Sequence, residues 1–278
     1  MIRKTIVEKI MQNKNVLVPS GRIVSYTDSS MGTKALVFIH GFPLTKEMWK
    51  AQVETLSEHF RIITYDLAGF GNSTLTTDDL TIDLLADDLN ELLKTLQVEH
   101  IIPIGLSMGG YVCLNFVQRY AERCHAIVLC DTQCTDDTAE AKQNRFDAIA
   151  DIEQHGLQNF VMNMLPKLVS AHTVAHQPEL VLEIKNQMLK ANANSVCKTL
   201  KALAGRRNMC DTLPNINIPA LIVCGEDDQI TPIEKSAFMH SQIRNSDIKY
   251  IPDAGHLSTM ENAPVFNSML MDFLSHRV

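Results

Sequence analysis

Ile101-Ile102-Pro103-Ile104-Gly105-Leu106-Ser107-Met108-Gly109-Gly110 is an apolar run that stops abruptly in Gly-x-Ser-x-Gly. Its shortness and unbroken hydrophobicity predict a strand buried on both faces. From Met108 to Tyr120 apolar residues recur at helical spacing, so a helix follows at once. A serine between the two must sit on a very tight turn with its backbone in a sparsely populated conformation. Glycines two residues before and after it remove the Cβ atoms that would hold strand and helix apart. The hydroxyl then stands at the carboxyl end of a sheet, above a helix amino terminus whose unsatisfied N–H groups favour negative charge. The bare pattern is common by chance. Its strand–turn–helix setting makes Ser107 a candidate nucleophile, which requires a base, an acid and an oxyanion site elsewhere in the chain.

On the amino-terminal side, Val16-Leu17-Val18 and Arg22-Ile23-Val24-Ser25-Tyr26 flank Pro19-Ser20-Gly21 and predict a hairpin. Ala35 to Ile39 is a continuous apolar run ending in His40-Gly41-Phe42-Pro43, and Glu47 to Phe60 has helical spacing with Met48, Trp49, Val53 and Leu56 inward. Arg61 to Tyr65 predicts the next strand, before the glycine-rich loop Asp66 to Ser73; Thr81 to Leu96 is strongly amphipathic and helical. On the carboxyl-terminal side Ala126 to Cys130 is a strand ending at Asp131. From Thr132 to about Asp211 the rhythm changes to helical stretches alone, broken by Gly156, Pro166 and Pro178. Strands return at Ile218 to Cys224 and Ile248 to Ile251, with helices at Pro232 to Ile243 and Ala263 to His276. Alternating strands and helices imply a mostly parallel sheet with helices on both faces, carrying one helical insertion. The expected division is core at 1–131, helical segment at 132–211 and core again at 212–278.

With 278 residues, 45% hydrophobic and 21% charged, the chain has the composition of an ordinary globular protein able to bury a large core. The net charge of −7 and the lack of a Lys/Arg run argue against a nucleic-acid partner. The seven cysteines are scattered without a Cys-x-x-Cys pair, and Cys113, Cys130 and Cys224 lie in apolar runs as small core residues. Met1 to Asn15 does not have the pattern of a signal peptide, and no stretch is long enough to span a bilayer, so a cytoplasmic location is expected. No metal-ligand cluster, dinucleotide fingerprint or Walker loop is present in the sequence, which predicts no metal and no cofactor.

The base for Ser107 has to be a histidine oriented by an acid. Of ten histidines, His256 follows the last strand in Pro252-Asp253-Ala254-Gly255-His256, on a loop at the sheet's carboxyl end, where Gly255 leaves space for a tight bend. The acid is expected at another strand end. Gly225-Glu226-Asp227-Asp228-Gln229-Ile230-Thr231-Pro232 supplies Asp227 and Asp228, with Pro232 suited to the first turn of a helix, and Asp131 competes from the end of the preceding core strand. Two backbone N–H donors are needed for an oxyanion. Met108 supplies one, at a helix start, and Phe42 is the natural second, since Pro43 has no N–H. His40 is read as a brace for its loop, and Asp66 and Ser73 as holding the glycine-rich loop together.

These motifs resemble the α/β-hydrolase superfamily: His40-Gly41-Phe42-Pro43, Asp66-x-x-Gly69-x-Gly71-x-Ser73, Gly105-x-Ser107-x-Gly109, Gly225-x-x-Asp228-x-x-x-Pro232 and Gly255-His256 occur in the family's order. Asp131-Thr132, Leu203-Ala204-Gly205-Arg206, Leu213-Pro214-x-Ile216-x-Ile218-Pro219 and Ala254-Gly255-His256-Leu257-Ser258 look like bacterial esterase-like members often grouped with 3-oxoadipate enol-lactonases. The resemblance selects Asp228 as the acid. It implies the α/β-hydrolase fold with eight strands, a helical cap over the nucleophile, no cofactor, and a Ser107–Asp228–His256 triad acting on a small-molecule ester or lactone. Hydrolysis of an enol-lactone or of a carbon–carbon bond uses the same triad, and a ligand-binding member with vestigial catalysis retains the same motifs. Serine at the nucleophile position is unlike haloalkane dehalogenases and epoxide hydrolases, which carry aspartate there. Phe160, Met162, Met164, Leu165 and Met188 are candidates either to line a pocket or to pack the cap; Arg206 and Arg207 either to meet a substrate carboxylate or to be solvated helix-end residues. A monomer or homodimer without membrane association completes the expectation.

Overall fold

The structure, a computed structural model, describes residues 12–30, 35–75 and 80–278. The amino-terminal reading of Met1 to Asn15 falls mostly outside these residues. Eight strands form one sheet in the order β1-β2-β4-β3-β5-β6-β7-β8. They are β1 (Lys14–Leu17), β2 (Ile23–Asp28), β3 (Ala35–Ile39), β4 (Arg61–Tyr65), β5 (Ile101–Leu106), β6 (Ile127–Cys130), β7 (Ala220–Gly225) and β8 (Ser246–Ile251). β1 pairs antiparallel with β2 and β2 with β4; every other pair is parallel. The parallel strands β3, β5, β6 and β7 are buried along their whole length, as their unbroken hydrophobicity requires.

Alternate residues of each strand feed two cores. Val37, Ile39, Ile101 and Leu129 face the side covered by α2 (Ile82–Thr95) and α3 (Met108–Arg119), through Leu85, Leu89, Val112 and Phe116. Leu36, Phe38, Ile102 and Val128 face the other side, covered by Trp49, by α1 (Lys50–Leu56) and by the closing helix at 263–277, through Val53, Phe266 and Leu270. Each such aliphatic side chain contributes about 1.5–3 kcal/mol by burial. Most element ends differ from the sequence reading by a residue or two, but the helix expected to reach Phe60 stops at Leu56. The Glu47–Phe60 helix begins as a 3-10 turn at Lys46–Trp49. The strand expected from Ile218 starts at Ala220, because Pro219 has no N–H to give a ladder, although its carbonyl accepts from Ile127 N. Thr81 caps α2, accepting Leu84 N at 3.0 Å.

Between β6 and β7 lie five helices and no strand: α4 (Ala139–His155), α5 (Leu157–Leu168), α6 (Ala171–His176), α7 (Pro178–Lys190) and α8 (Ala193–Ala204). Their inner residues join the same two cores, Val196 and Leu203 on one side and Val161, Leu165 and Met188 on the other. The insertion leaves and re-enters the sheet through a narrow neck. There Cys134 and Cys210 form a disulfide with their Cα atoms 4.9 Å apart, and Met209 N donates to Cys134 O at 2.8 Å. Cysteine spacing gives no sign of this pair, which is 76 residues apart. Cys113, Cys130 and Cys224 are free and buried, as read from their apolar surroundings. After β7 come α9 (Ile233–Gln242), α10 (Ser258–Glu261) and α11 (Ala263–Arg277). No helix among the described residues is long and apolar enough to cross a membrane.

Candidate active site

Ser107 sits between β5 and α3 at φ 54°, ψ −112°, a conformation that side chains other than glycine seldom adopt. The turn is enforced from both sides. A Cβ on Gly105 would lie 2.2 Å from Gly109 O, and a Cβ on Gly109 2.2 Å from Ile39 O. Ser107 O accepts Thr132 Oγ1 at 2.8 Å, which fixes the turn to the start of the insertion. The side chain is half-buried.

Ser107 Oγ lies 2.8 Å from His256 Nε2. On the other edge of the ring, Nδ1 is 2.8 Å from Asp228 Oδ2 and 3.0 Å from Oδ1. Nδ1–H therefore donates to the carboxylate and Nε2 is left to accept the serine proton. Asp228 is itself seated by Ile230 N (2.8 Å), Thr231 N (3.0 Å) and Thr231 Oγ1 (2.7 Å). Burial pushes its carboxyl up, but the His256 charge and the hydrogen bonds from His256 and Thr231 outweigh this and hold it below the ordinary carboxylate range. Histidine and aspartate are 2% and 5% exposed, so the pair operates away from bulk water.

The competing acids are placed elsewhere. Asp227 is exposed, its N–H bonded to Ala254 O. Asp131 is fully buried beside β7; it accepts Gly225 N at 2.8 Å and a very short bond from Ser258 Oγ. Burial first, and then the neighbouring Asp228 charge, push its carboxyl well above the ordinary value. His40 braces its loop: Nε2 accepts Leu67 N at 2.9 Å, so Nδ1–H donates to Gly41 O at 2.9 Å, and burial lowers its pKa and keeps it neutral. Asp66 holds the glycine-rich loop, accepting from Lys46 N, Lys46 Nζ and Asn72 N while Ser73 Oγ donates to its carbonyl.

The Phe42 loop lies against the nucleophile. A Cβ on Gly41 would come within 3.6 Å of Ser107 Cβ. Among the described residues, neither Phe42 N nor Met108 N meets a backbone acceptor, so both N–H groups remain available as donors. The space Gly255 provides differs from the expectation. A Cβ there would sit 2.8 Å from Ser170 N and 2.9 Å from Val169 C, so glycine makes room for the insertion's backbone rather than for a local bend.

A cavity of about 760 Å³ opens between α4 and α5 and reaches Phe42 and Ile230, with Phe160, Met164 and Leu200 as its apolar lining and Asn163 and Lys167 among its polar residues. The pocket candidates thus divide. Phe160, Met162 and Met164 line this cavity, whereas Leu165 and Met188 are core. Phe160 meets Phe42 edge to face at 6.0 Å. Arg206 and Arg207 do not line it. Nor is Arg206 a solvated helix-end residue: it is buried, paired with Asp137 at 2.6 Å, bonded to Thr135 O and Leu203 O, and stacked on Tyr111 at 4.6 Å. Arg207 is exposed and pairs with Asp83 at 3.1 Å.

The chain matches the family model for the alpha/beta hydrolase fold over residues 34–263 and belongs to that family. It is 29% identical over 269 residues to a putative non-heme chloroperoxidase of Synechocystis sp., covering 90% of this chain and 94% of the relative. To 3-oxoadipate enol-lactonase 2 of Acinetobacter baylyi it is 25% identical over 233 residues, 84% and 85% of the two chains. A thermophilic esterase from Thermogutta terrifontis, solved with malate bound, superposes with a TM-score of 0.90 at 34% identity, covering 95% of this chain and 98% of that one. The enol-lactonase of Burkholderia xenovorans LB400 shares the fold at a TM-score of 0.88 and 24% identity, covering 95% and 100%. The chain is a hydrolase of the α/β family with esterase and enol-lactonase relatives.

Proposed function

We propose that the protein is a serine hydrolase that cleaves small carboxylic esters or lactones through an acyl-enzyme, with Ser107, His256 and Asp228 as its triad. The observation that carries this reading is the unbroken chain of 2.8 Å contacts from Ser107 Oγ to Nε2 and from Nδ1 to Asp228 Oδ2. His256 takes the serine proton as the hydroxyl attacks the acyl carbon, and the charge it gains is matched by the buried Asp228. The Met108 and Phe42 N–H groups stabilise the oxyanion. His256 then protonates the leaving alcohol and activates water for deacylation. The insertion, residues 132–211, acts as a cap whose Phe160 and Met164 shape the substrate space.

Ser107→Ala is expected to remove turnover of a short p-nitrophenyl ester while the fold is kept; undiminished hydrolysis by that variant would sink the proposal. Covalent labelling of Ser107 by a fluorophosphonate separates an enzyme from a ligand-binding member with vestigial catalysis, which would bind ligands but resist the label. An enol-lactone or carbon–carbon bond substrate is the second reading, its enol-lactone half favoured by the enol-lactonase relatives. A substrate carboxylate would have to be met from the cavity, where Lys167 is exposed and Arg145 is already paired with Asp137. For location, the sequence supports the cytoplasm, but the Cys134–Cys210 bridge is a feature of oxidising compartments. Alkylation and mass measurement of protein taken from its own cell decides between them.

A further inference from the structure

Resting on the serine-hydrolase reading, we propose that Glu261 is a positioning residue that holds the His256 loop in register with Ser107 and fastens that loop to the cap. Glu261 ends the short helix α10 and is 5% exposed. Its Oε1 accepts Gly255 N at 2.9 Å and Leu257 N at 3.2 Å, the amides immediately before and after His256. Its Oε2 accepts Ser170 N at 2.7 Å, at the junction of α5 and α6 in the insertion. One buried carboxylate therefore spans both flanks of the catalytic histidine and the backbone of the cap.

The loop needs such a clamp. It follows β8 with irregular backbone, Asp253 being at φ 59°. Further bonds follow the same seam between cap and loop: Leu257 N to Leu168 O at 3.1 Å, Ser170 Oγ to Asp253 O at 2.8 Å, and Gln177 Nε2 to Glu261 O at 2.9 Å. Gly255 permits the close approach already described. Three donors converge on both oxygens, so the site is matched to a carboxylate and not to an amide. Glutamine is isosteric but must turn an NH₂ toward at least one backbone N–H, leaving buried donors face to face. The His256 loop would then lose a fixed point on one side of the ring that has to meet Ser107, and proton transfer is steep in that geometry.

The test compares wild-type protein with Glu261→Gln, each titrated with a fluorophosphonate and assayed on p-nitrophenyl acetate. Glu261→Gln is expected to label to the same final stoichiometry at a rate lowered on the order of ten- to a hundred-fold, with kcat reduced in step. KM is expected to hold within about twofold, because Glu261 touches neither the cavity nor the oxyanion donors. A wild-type labelling rate in the variant would overturn the proposal. So would a lowered stoichiometry with an unchanged rate constant, which is the result a merely structural residue gives. Failure of the wild-type protein itself to label would overturn the hydrolase reading instead. Should the variant not fold, amide exchange in the wild type serves. Gly255 and Ser170, whose N–H groups donate to Glu261, are expected to share one opening free energy, whereas Leu257 N–H also donates to Leu168 O and is left out of the comparison; unrelated opening free energies at Gly255 and Ser170 would overturn the assignment.

Discussion

Asp131 and Asp228 are neighbouring buried carboxylates, and their environments drive them in opposite directions. Asp228 is held low by His256 and Thr231; Asp131 is pushed up by burial and by Asp228. An acid whose folded pKa is raised binds a proton more tightly folded than unfolded. Its contribution is fully present below the unfolded value of about 4 and is lost as pH rises toward the folded one. Asp131→Asn can still accept Gly225 N and, with the Ser258 hydroxyl turned from donor to acceptor, donate to Ser258 Oγ, but it has nothing to ionise. Urea denaturation is therefore expected to show the variant gaining on the wild type as pH rises above about 4, by at most about 1.4 kcal/mol per pH unit. A gap independent of pH would mean that Asp131 is ionised in the folded protein. Ser107, Asp228 and His256 could be picked out in the sequence because each closely follows a run read as a strand. Choosing Asp228 over Asp227 was not possible from spacing. One residue's difference decides which side chain turns back to accept Thr231 N and which faces water. Glu261 left no mark either, since its partners are backbone amides that any residue carries.

The elements themselves were legible wherever hydrophobic periodicity was strong: the four central parallel strands fall at unbroken apolar runs, while the edge strands β1 and β8 mix apolar with charged and polar residues. The neck of the insertion was not legible, because a bridge between Cys134 and Cys210 depends on where the fold returns the chain after five helices. Closing a loop of this length restricts the unfolded chain, by about 4.5 kcal/mol on a chain-entropy account. Reduction with a dithiol is expected to lower the thermal midpoint while the triad, which lies outside the loop, keeps its geometry at temperatures below the transition. An unchanged midpoint would show that the thiols are not bridged in solution. Arg206 belongs to the same neck. Its pairing with Asp137 and its place on Tyr111 account for its burial without any substrate.

Across the whole molecule, the sheet carries Ser107, Asp228 and His256 at its strand ends, and the insertion supplies most of the lining of the cavity that reaches Phe42 and Ile230. Phe160→Ala removes the ring that meets Phe42 and enlarges that cavity. The expected outcome is a rise of about tenfold in kcat/KM for a bulky acyl ester relative to acetate, measured over a p-nitrophenyl series. A uniform fall across the series would show that the ring supports the fold and not the selection. The neck carries a further consequence for how such a chain can diversify. With Cys134 and Cys210 only 4.9 Å apart at their Cα atoms, the five helices enter and leave through what is nearly a single point. Only the two chain crossings at the neck constrain strand order and register, whereas a different intervening segment would have to refill both cores that Val196, Leu203, Val161, Leu165 and Met188 now enter. A segment transplanted there from an enol-lactonase is expected to bring its own preference to Ser107 only if it fills the same core positions and presents an N–H to Glu261.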